Sequence, residues 1–210
     1  MRVSGKEKAA RTEDLDNYYR MLDLEETSYE SGEKEIKKAY MMCAITFHPD
    51  KMGEDASERD QEVWLAIQTA YETLLDPVRR RKYDSTLPFD DDVPEEKDVT
   101  DVNFYDLYDE VFRNNARFSK KKPVPSIGFD DDEMKDVYAF YKFWNNFESW
   151  REFAQFEEHK LEEASNRWEM RKNATENKKQ SEKYFREEKR RLNDLVDLAY
   201  KLDPRMKRER

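Results

Sequence analysis

The chain has 210 residues, of which 42% are charged and 37% hydrophobic, and its formal net charge is −10. No stretch approaches about 18 consecutive apolar residues, which argues against a membrane-spanning protein. One cysteine and two histidines exclude an internal disulfide and offer no ligand set for zinc. The sequence therefore predicts an intracellular, metal-free protein, and an aromatic fraction of 13% argues against disorder throughout.

The charge is distributed unevenly along the chain. Residues 1–84 carry 14 basic and 19 acidic side chains, residues 85–159 carry 9 and 19, and residues 160–210 carry 16 and 11. The net charge alone argues against nucleic acid as a partner. A basic C-terminal block after an acidic body instead indicates a polyanionic partner for that block.

Four glycines and a lack of β-branched runs favour helices over strands, so we predict an all-α protein. Residues 1–14 form a polar segment. A helix is then predicted from about Glu33 to Phe47, because the apolar residues of this stretch share one helical face. Pro49 ends this helix, since proline disfavours helical geometry in the residue before it. We expect a loop from Lys51 to about Ser57.

A second long helix is predicted from roughly Glu58 to Leu75. Its apolar stripe consists of Trp64, Ile67, Tyr71 and Leu74. Asp76-Pro77 ends it and starts a short basic turn from Val78 to Tyr83. Together the two helices predict an antiparallel hairpin whose bend presents His48, Pro49 and Asp50 in a row.

These residues resemble the J-domain of DnaJ-type proteins over about residues 15–84. The resemblance is carried, in order, by Tyr18-Tyr19, Lys37-Lys38-Ala39-Tyr40, His48-Pro49-Asp50-Lys51, Ala70-Tyr71-Glu72 and Arg81-Lys82-Tyr83-Asp84. A lone His-Pro-Asp would be a weak signal. Its place at the bend of a two-helix hairpin makes the set specific.

The resemblance implies a co-chaperone that binds the ATPase domain of a DnaK-type heat-shock chaperone. Asp50 is expected to pair with an arginine of the chaperone, because a carboxylate accepts two guanidinium hydrogens in a planar fork. His48 is expected to fix the turn and Pro49 to stiffen it. The chain would be no enzyme, with no catalytic residue, metal or cofactor of its own.

A basic face on the first hairpin helix is a second part of this expected docking surface. Lys34, Lys37 and Lys38 are expected to speed encounter with an acidic surface of the chaperone, although a solvated helix face is the alternative. Many J-domains continue this basic face where the chain has Met41 and Met42. Docking is therefore expected to be weaker, or to depend more on apolar contact.

Beyond the hairpin, residues 85–103 predict an extended acidic linker. From Phe104 aromatic residues return, and the segment from Asp136 to Phe156 is predicted to contribute core rather than a platform for stacked bases. Its aromatic residues are Tyr138, Phe140, Tyr141, Phe143, Trp144, Phe147, Trp150, Phe153 and Phe156. The stretch from Glu157 to Tyr200 contains neither proline nor glycine and predicts one or two long charged helices, with Pro204 closing the region.

This second region resembles the zuotin-homology domain of ribosome-associated J-proteins, and we assign residues 104–210 to it. The resemblance is carried by residues 112–119, 140–144, 146–153 and 195–205. It implies a cytoplasmic, ribosome-bound protein near the tunnel exit of the large subunit. There it would stimulate ATP hydrolysis by its chaperone to assist the folding of nascent chains.

The same resemblance implies that the basic C-terminal helix contacts ribosomal RNA, by neutralising phosphates without a base-specific reader. The predicted contacts are Arg167, Arg171, Lys172, Lys178, Lys179, Lys183, Arg186, Lys189, Arg190 and Arg191, and residues 120–122 offer a further phosphate contact. A salt-paired helix is the alternative, because 11 acidic residues share residues 160–210.

Two other functions remain open from the sequence. The chain could be a free cytosolic J-protein, or a structural ribosome-binding protein whose J-domain is inactive. Zuotin-type chains also carry a longer N-terminal segment that engages an atypical DnaK-like subunit. Only about fifteen residues precede the J-domain here, so we do not expect stable pairing with that subunit.

Overall fold

The computed structural model describes residues 14–52 and 57–209, apart from the side chains of Met52 and Glu162. The polar segment predicted at residues 1–14, except Asp14, and residues 53–56 of the predicted loop lie outside the described residues. Within the described ranges regular structure is helical, as predicted, apart from one isolated bridge between Ser119 and Ser149. The helices are α1 (Tyr18–Met21), α2 (Glu33–Phe47), α3 (Pro49–Met52), α4 (Glu58–Leu75), α5 (Pro77–Thr86), α6 (Phe104–Ala116), α7 (Met134–Asn145), α8 (Arg167–Leu202) and α9 (Pro204–Glu209).

The chain divides into two compact units, the first ending at Asp84 and the second starting at Ser85. The first unit is the predicted hairpin, and α2 and α4 have the bounds expected from sequence. Its core is formed by Tyr19, Met21, Leu22, Ile36, Cys43, Phe47, Val63, Ile67, Ala70 and Leu74. The predicted stripe of α4 was partly wrong, because Val63 and Ala70 are buried whereas Trp64 and Tyr71 are half-buried.

The first unit is closed by contacts between its two ends. The Tyr19 hydroxyl donates a 2.7 Å hydrogen bond to Asp84, and Arg80 donates to the same hydroxyl over 3.1 Å. The Tyr18 ring stacks on Tyr83 at 4.3 Å between centroids. Burial raises the pKa of Tyr83 to about 12 and, together with the Asp84 carboxylate, raises that of Tyr19 further. The closing Tyr-Asp pair of the sequence motif thus holds α1 against α5.

The second unit has a core to which α6, α7 and the C-terminal half of α8 contribute. Its fully buried aromatic residues include Phe104, Tyr108 and Phe112 from α6, and Phe140 and Trp144 from α7. The long helix contributes Leu192, Leu195, Val196, Ala199 and Leu202. The predicted charged helix is one element that starts at Arg167, ten residues later than the start of the predicted stretch.

A buried ion pair fixes the end of α8 in this core. Arg205 donates to the Asp203 carboxylate over 2.8 Å and to the backbone oxygens of Ile127 and Phe129 over 3.0 and 2.9 Å. The Tyr141 hydroxyl donates to the same Asp203 carboxylate oxygen over 2.8 Å. All polar groups of the pair are therefore satisfied, which burial of two charges requires.

Residues 85–103, predicted as an acidic linker, pack within the second unit. The Phe89 ring packs edge-on against Phe118, with centroids 5.1 Å apart. Lys201 pairs with Glu96 at 2.7 Å, and Lys207 pairs with Asp101 at 2.8 Å. Its acidic residues thus neutralise lysines near the C-terminal end of the described chain.

Only part of the aromatic segment that was predicted as core is buried. Phe140, Tyr141, Trp144 and Phe153 are buried, but the prediction was wrong for Tyr138 and Phe156, which are exposed. The helix ends at Asn145, so the helical spacing assumed from sequence fails beyond it.

In residues 14–52 and 57–209, no helix is long and apolar enough to cross a bilayer. The same residues contain no cluster of three or more acidic, cysteine or histidine side chains suited to a metal ion.

Candidate functional sites

The bend of the hairpin is a tight, internally bonded turn. His48 caps α2 with extended backbone angles (φ −63°, ψ 137°), as the following proline requires. Pro49 then begins α3, so Lys51 and Met52 lie in a helical turn rather than in the predicted loop. The fixed φ of proline suits a first helical position, which explains this difference.

His48 organises this turn, as expected from sequence. Its Nδ1 accepts a 3.2 Å hydrogen bond from the Asp50 backbone N–H. The ring lies edge-on against Trp64, with centroids 5.1 Å apart, and Tyr40 stacks between Trp64 and Tyr71 at 6.2 and 4.0 Å. A row of aromatic rings across α2 and α4 therefore holds the imidazole in place. From the sequence Trp64 was predicted only as a core residue, and its support of His48 was not predicted.

The Asp50 carboxylate points into solvent, with 86% of its side chain exposed. Its Oδ2 lies 3.7 Å from His48 Nδ1, and no lysine or arginine in the described part of the chain pairs with it. Because the backbone N–H of Asp50 is bonded to His48, the backbone that carries the carboxylate is held in place, while the carboxylate oxygens have no lysine or arginine partner in the described chain. This arrangement can accept a bidentate hydrogen-bond donor from another protein.

The three predicted docking lysines are all exposed on α2, but they differ in their pairing. Lys37 is hydrogen-bonded to Glu33, which lowers the pKa of the Glu33 carboxyl and raises that of Lys37. Lys34 and Lys38 have no carboxylate partner among the described residues. The structure thus leaves two of the three charges available to a partner.

The face that carries Lys34 and Lys38 continues toward the bend with apolar side chains. Met41 and Ile45 follow at seven and eleven residues from Lys34, which places all four on one stripe of α2. Both apolar side chains are largely exposed. Met41 was predicted from the sequence as an apolar contact, whereas Ile45 was not, although helical spacing from Lys38 places it on the same face.

The predicted RNA-binding surface lies on α8, and the segment that precedes this helix packs against its N-terminal half. The Phe156 ring stacks on Tyr184 at 3.9 Å. The Asn177 side chain accepts from the His159 backbone and donates to it, over 3.1 and 2.7 Å, and His159 lies 2.9 Å from Glu176. These contacts hold one side of the helix and leave its opposite side to solvent.

The predicted RNA-contacting cations of α8 fall into three groups. Lys172, Lys178, Lys183 and Arg186 lie within 4.0 Å of a carboxylate on the same helix. Exposed side chains without a carboxylate partner among the described residues are Arg167, Arg171, Lys179, Lys189 and Arg190. The third group is Arg191 alone.

The assignment of Arg191 as an RNA contact needs correction. Its guanidinium donates to the Asn115 side chain over 2.5 Å, to the Asp91 backbone oxygen over 3.1 Å and to Glu188 over 3.0 Å. The Phe89 ring lies beneath it, 5.7 Å from the guanidinium carbon. Since its donors are bonded inside the second unit, Arg191 stabilises the fold and is not free to bind a phosphate.

Comparison with known proteins gives matches to both units. The family described as "DnaJ domain" matches residues 17–84, and the family described as "Zuotin-like, zuotin homology domain" matches residues 103–207. The chain is 39% identical to "DnaJ homolog subfamily C member 2" of Bos taurus over 91% of its own length and 31% of that protein.

Two yeast proteins are similar to the chain over the same two units. It is 38% identical to "Zuotin" of Saccharomyces cerevisiae over 94% of its length and 45% of that protein. It is 37% identical to "Zuotin" of Schizosaccharomyces pombe over 91% of its length and 43% of that protein. The chain therefore spans about a third to less than half of these relatives.

Proposed function

The chain belongs to the zuotin-like J-domain proteins, and we propose that it is a ribosome-associated co-chaperone that stimulates ATP hydrolysis by a DnaK-type heat-shock chaperone. Such a protein regulates another protein's ATPase and supplies no catalytic group. Its proposed site of action is the large ribosomal subunit near the tunnel exit, where the chaperone would assist the folding of nascent chains.

The observation that carries the chaperone half of this proposal is the exposed carboxylate of Asp50 on a hydrogen-bonded turn. Its oxygens face solvent, while His48 and Pro49 hold the backbone beneath it. An arginine of the chaperone that fits this geometry would donate two charge-assisted hydrogen bonds to the Asp50 carboxylate. If the arginine is free to do so only in the hydrolysis-competent conformer, binding shifts the chaperone population toward that conformer.

Replacement of Asp50 by asparagine tests the chaperone half. Asp50→Asn keeps the shape of the side chain but removes the charge, and loss of one partner from a buried, hydrogen-bonded charge pair costs about 2–5 kcal/mol. We expect stimulation of the cognate ATPase, measured in single turnover, to fall by roughly 30-fold or more. Glu26→Gln, which neutralises an exposed acid elsewhere in the first unit, is the matched control and should leave stimulation unchanged.

The alternative of an inactive J-domain is distinguished in the same assay. If the native chain stimulates no cognate ATPase while it still sediments with ribosomes, it is a structural ribosome-binding protein. If Asp50→Asn and Glu26→Gln stimulate equally, the carboxylate is not the contact and the proposed mechanism is wrong.

The ribosome half of the proposal is carried by the unpaired cations on α8. Positive charge is distributed along this single helix of 36 residues by Arg167, Arg171, Lys179, Lys189 and Arg190. Phosphates bind such a surface by releasing counterions, so no base-specific group is required. A free cytosolic J-protein would use the same helix only as a solvated surface, and salt-dependent binding to ribosomes separates the two.

A further inference from the structure

The second unit contains a cleft beside α8 with a volume of about 370 Å³. Its walls come from the end of α7, the two segments joined by the Ser119–Ser149 bridge, and one stripe of α8. Phe185, Lys189 and Asn193 form that stripe, because they follow one another at four-residue intervals. The volume falls within the range of small-ligand sites, roughly 300–1,000 Å³.

Aromatic surface lines this cleft. Phe147 stacks on the buried Trp144, with ring centroids 4.6 Å apart and planes 8° from parallel. Phe185 belongs to the opposite wall, on α8, and remains 45% exposed. The indole N–H of Trp144 has no hydrogen-bond partner among the described residues. An exposed ring at a concave site is suited to stacking on a flat ligand.

The charge of the cleft is positive once internal pairs are removed. Glu188 is bound by Arg151 at 3.1 Å and by Arg191 at 3.0 Å, and Glu148 is bound by Lys121 at 2.6 Å. Lys120 and Lys189 also line the cleft and form no ion pair with the described residues, although Lys120 adds to the lowering of the pKa of the Glu148 carboxyl. The lining of the cleft therefore carries an excess of positive charge and no unpaired carboxylate.

Amide side chains add hydrogen-bonding groups at the same place. Asn145 and Asn193 line the cleft and are exposed, and no hydrogen bond to either side chain is formed by the described residues. An amide offers both donors and an acceptor, which matches the edge of a nucleobase. Rings, amides and lysines thus lie together in one concavity.

We propose that this cleft binds one unstacked base of single-stranded or looped RNA, with the neighbouring phosphates on Lys120 and Lys189. This inference rests on the proposed RNA-binding function of α8 and extends it from charge to base recognition. The base would stack on Phe185 and reach the amides of Asn145 and Asn193. An apolar peptide fits this cleft less well, because it offers Lys120 and Lys189 no complementary charge.

Fluorescence anisotropy with the full chain tests the proposal. The probes are a fluorescein-labelled RNA hairpin with an unpaired loop and a blunt RNA duplex with the same number of phosphates. We expect the looped RNA to bind roughly fivefold tighter or more, the effect of stacking one base on an aromatic ring. Phe185→Ala should remove this preference and leave duplex binding unchanged. Phe129→Ala, which removes an exposed ring outside the cleft, should preserve it.

The outcomes separate this proposal from the function on which it rests. If both RNAs bind equally in the native chain, the cleft proposal is wrong while charge-driven binding by α8 stands. If neither RNA binds at low salt, the RNA-binding function itself fails. If a fluorescein-labelled apolar peptide binds and Phe185→Ala abolishes that binding, the cleft is a peptide site and the RNA assignment is overturned.

Discussion

The bend of the first unit and the long helix of the second arrange their charges in opposite ways. At the bend, one carboxylate is held by a bonded turn and has no cationic partner in the described chain. On α8, many cations share one helix with acids that neutralise part of them. The first arrangement concentrates recognition in one residue, whereas the second distributes it. A single substitution should therefore abolish one function but only weaken the other.

The largest expected effect concerns the buried ion pair that fixes the end of α8 in the core of the second unit. Arg205→Ala leaves the buried Asp203 carboxylate without its cation and deprives two backbone oxygens of donors. Breaking a buried pair from one side costs about 3–5 kcal/mol, so we expect the free energy of unfolding of the second unit to fall by that amount. Urea denaturation followed by circular dichroism measures it.

The control for this substitution is another arginine of α9. Arg208 pairs with Asp130 at 2.9 Å, but both side chains are more than half exposed. Arg208→Ala should therefore destabilise the second unit far less than Arg205→Ala does. Equal losses for the two variants would show that burial of the Arg205 pair is not what stabilises the end of α8.

The unpaired cations of α8 are expected to act together as a distributed binding surface. Arg171→Gln with Arg190→Gln removes two unpaired cations, so the slope of log affinity against log salt should decrease by about 2. Ribosome binding at physiological salt should weaken correspondingly. Co-sedimentation with purified ribosomes over a salt series measures both quantities.

A second double variant is the matched control for Arg171→Gln with Arg190→Gln. Lys172→Gln with Lys183→Gln removes the same formal charge, but these lysines lie 3.9 and 4.0 Å from Glu176 and Glu187. Since they are already partly neutralised, the slope should change less. If neither pair changes the slope, these four cations do not neutralise phosphates and the prediction of a distributed surface is wrong for them.

The two regions also differ in how far the sequence could predict them. The bounds of α2 and α4 follow from local apolar spacing and from the stops at Pro49 and Pro77, so they were predicted correctly. The inward turn of Arg191 depends on Asn115, 76 residues away, which no local pattern signals. The packing of residues 85–103 likewise depends on distant pairs, such as Glu96 with Lys201.

Two lysines of α2, Lys37 and Lys38, also differ in whether their charge is neutralised within the chain. Lys38 has no carboxylate partner in the described chain, whereas Lys37 is bonded to Glu33. Lys38→Gln should therefore slow association with the chaperone by a few-fold at low salt, because an exposed charge chiefly affects the encounter rate. Stopped-flow association measures this rate.

Lys37→Gln is the comparison, and it should slow association less than Lys38→Gln because Glu33 already screens the lysine. The effect of both should shrink as salt rises toward physiological strength, where the Debye length is about 8 Å. The exposed Met41 and Ile45 side chains on the same stripe would then supply a salt-independent part of the contact. If Lys38→Gln changes only the dissociation rate, Lys38 forms a specific desolvated pair, and docking on α2 is concentrated in the way that docking at Asp50 is.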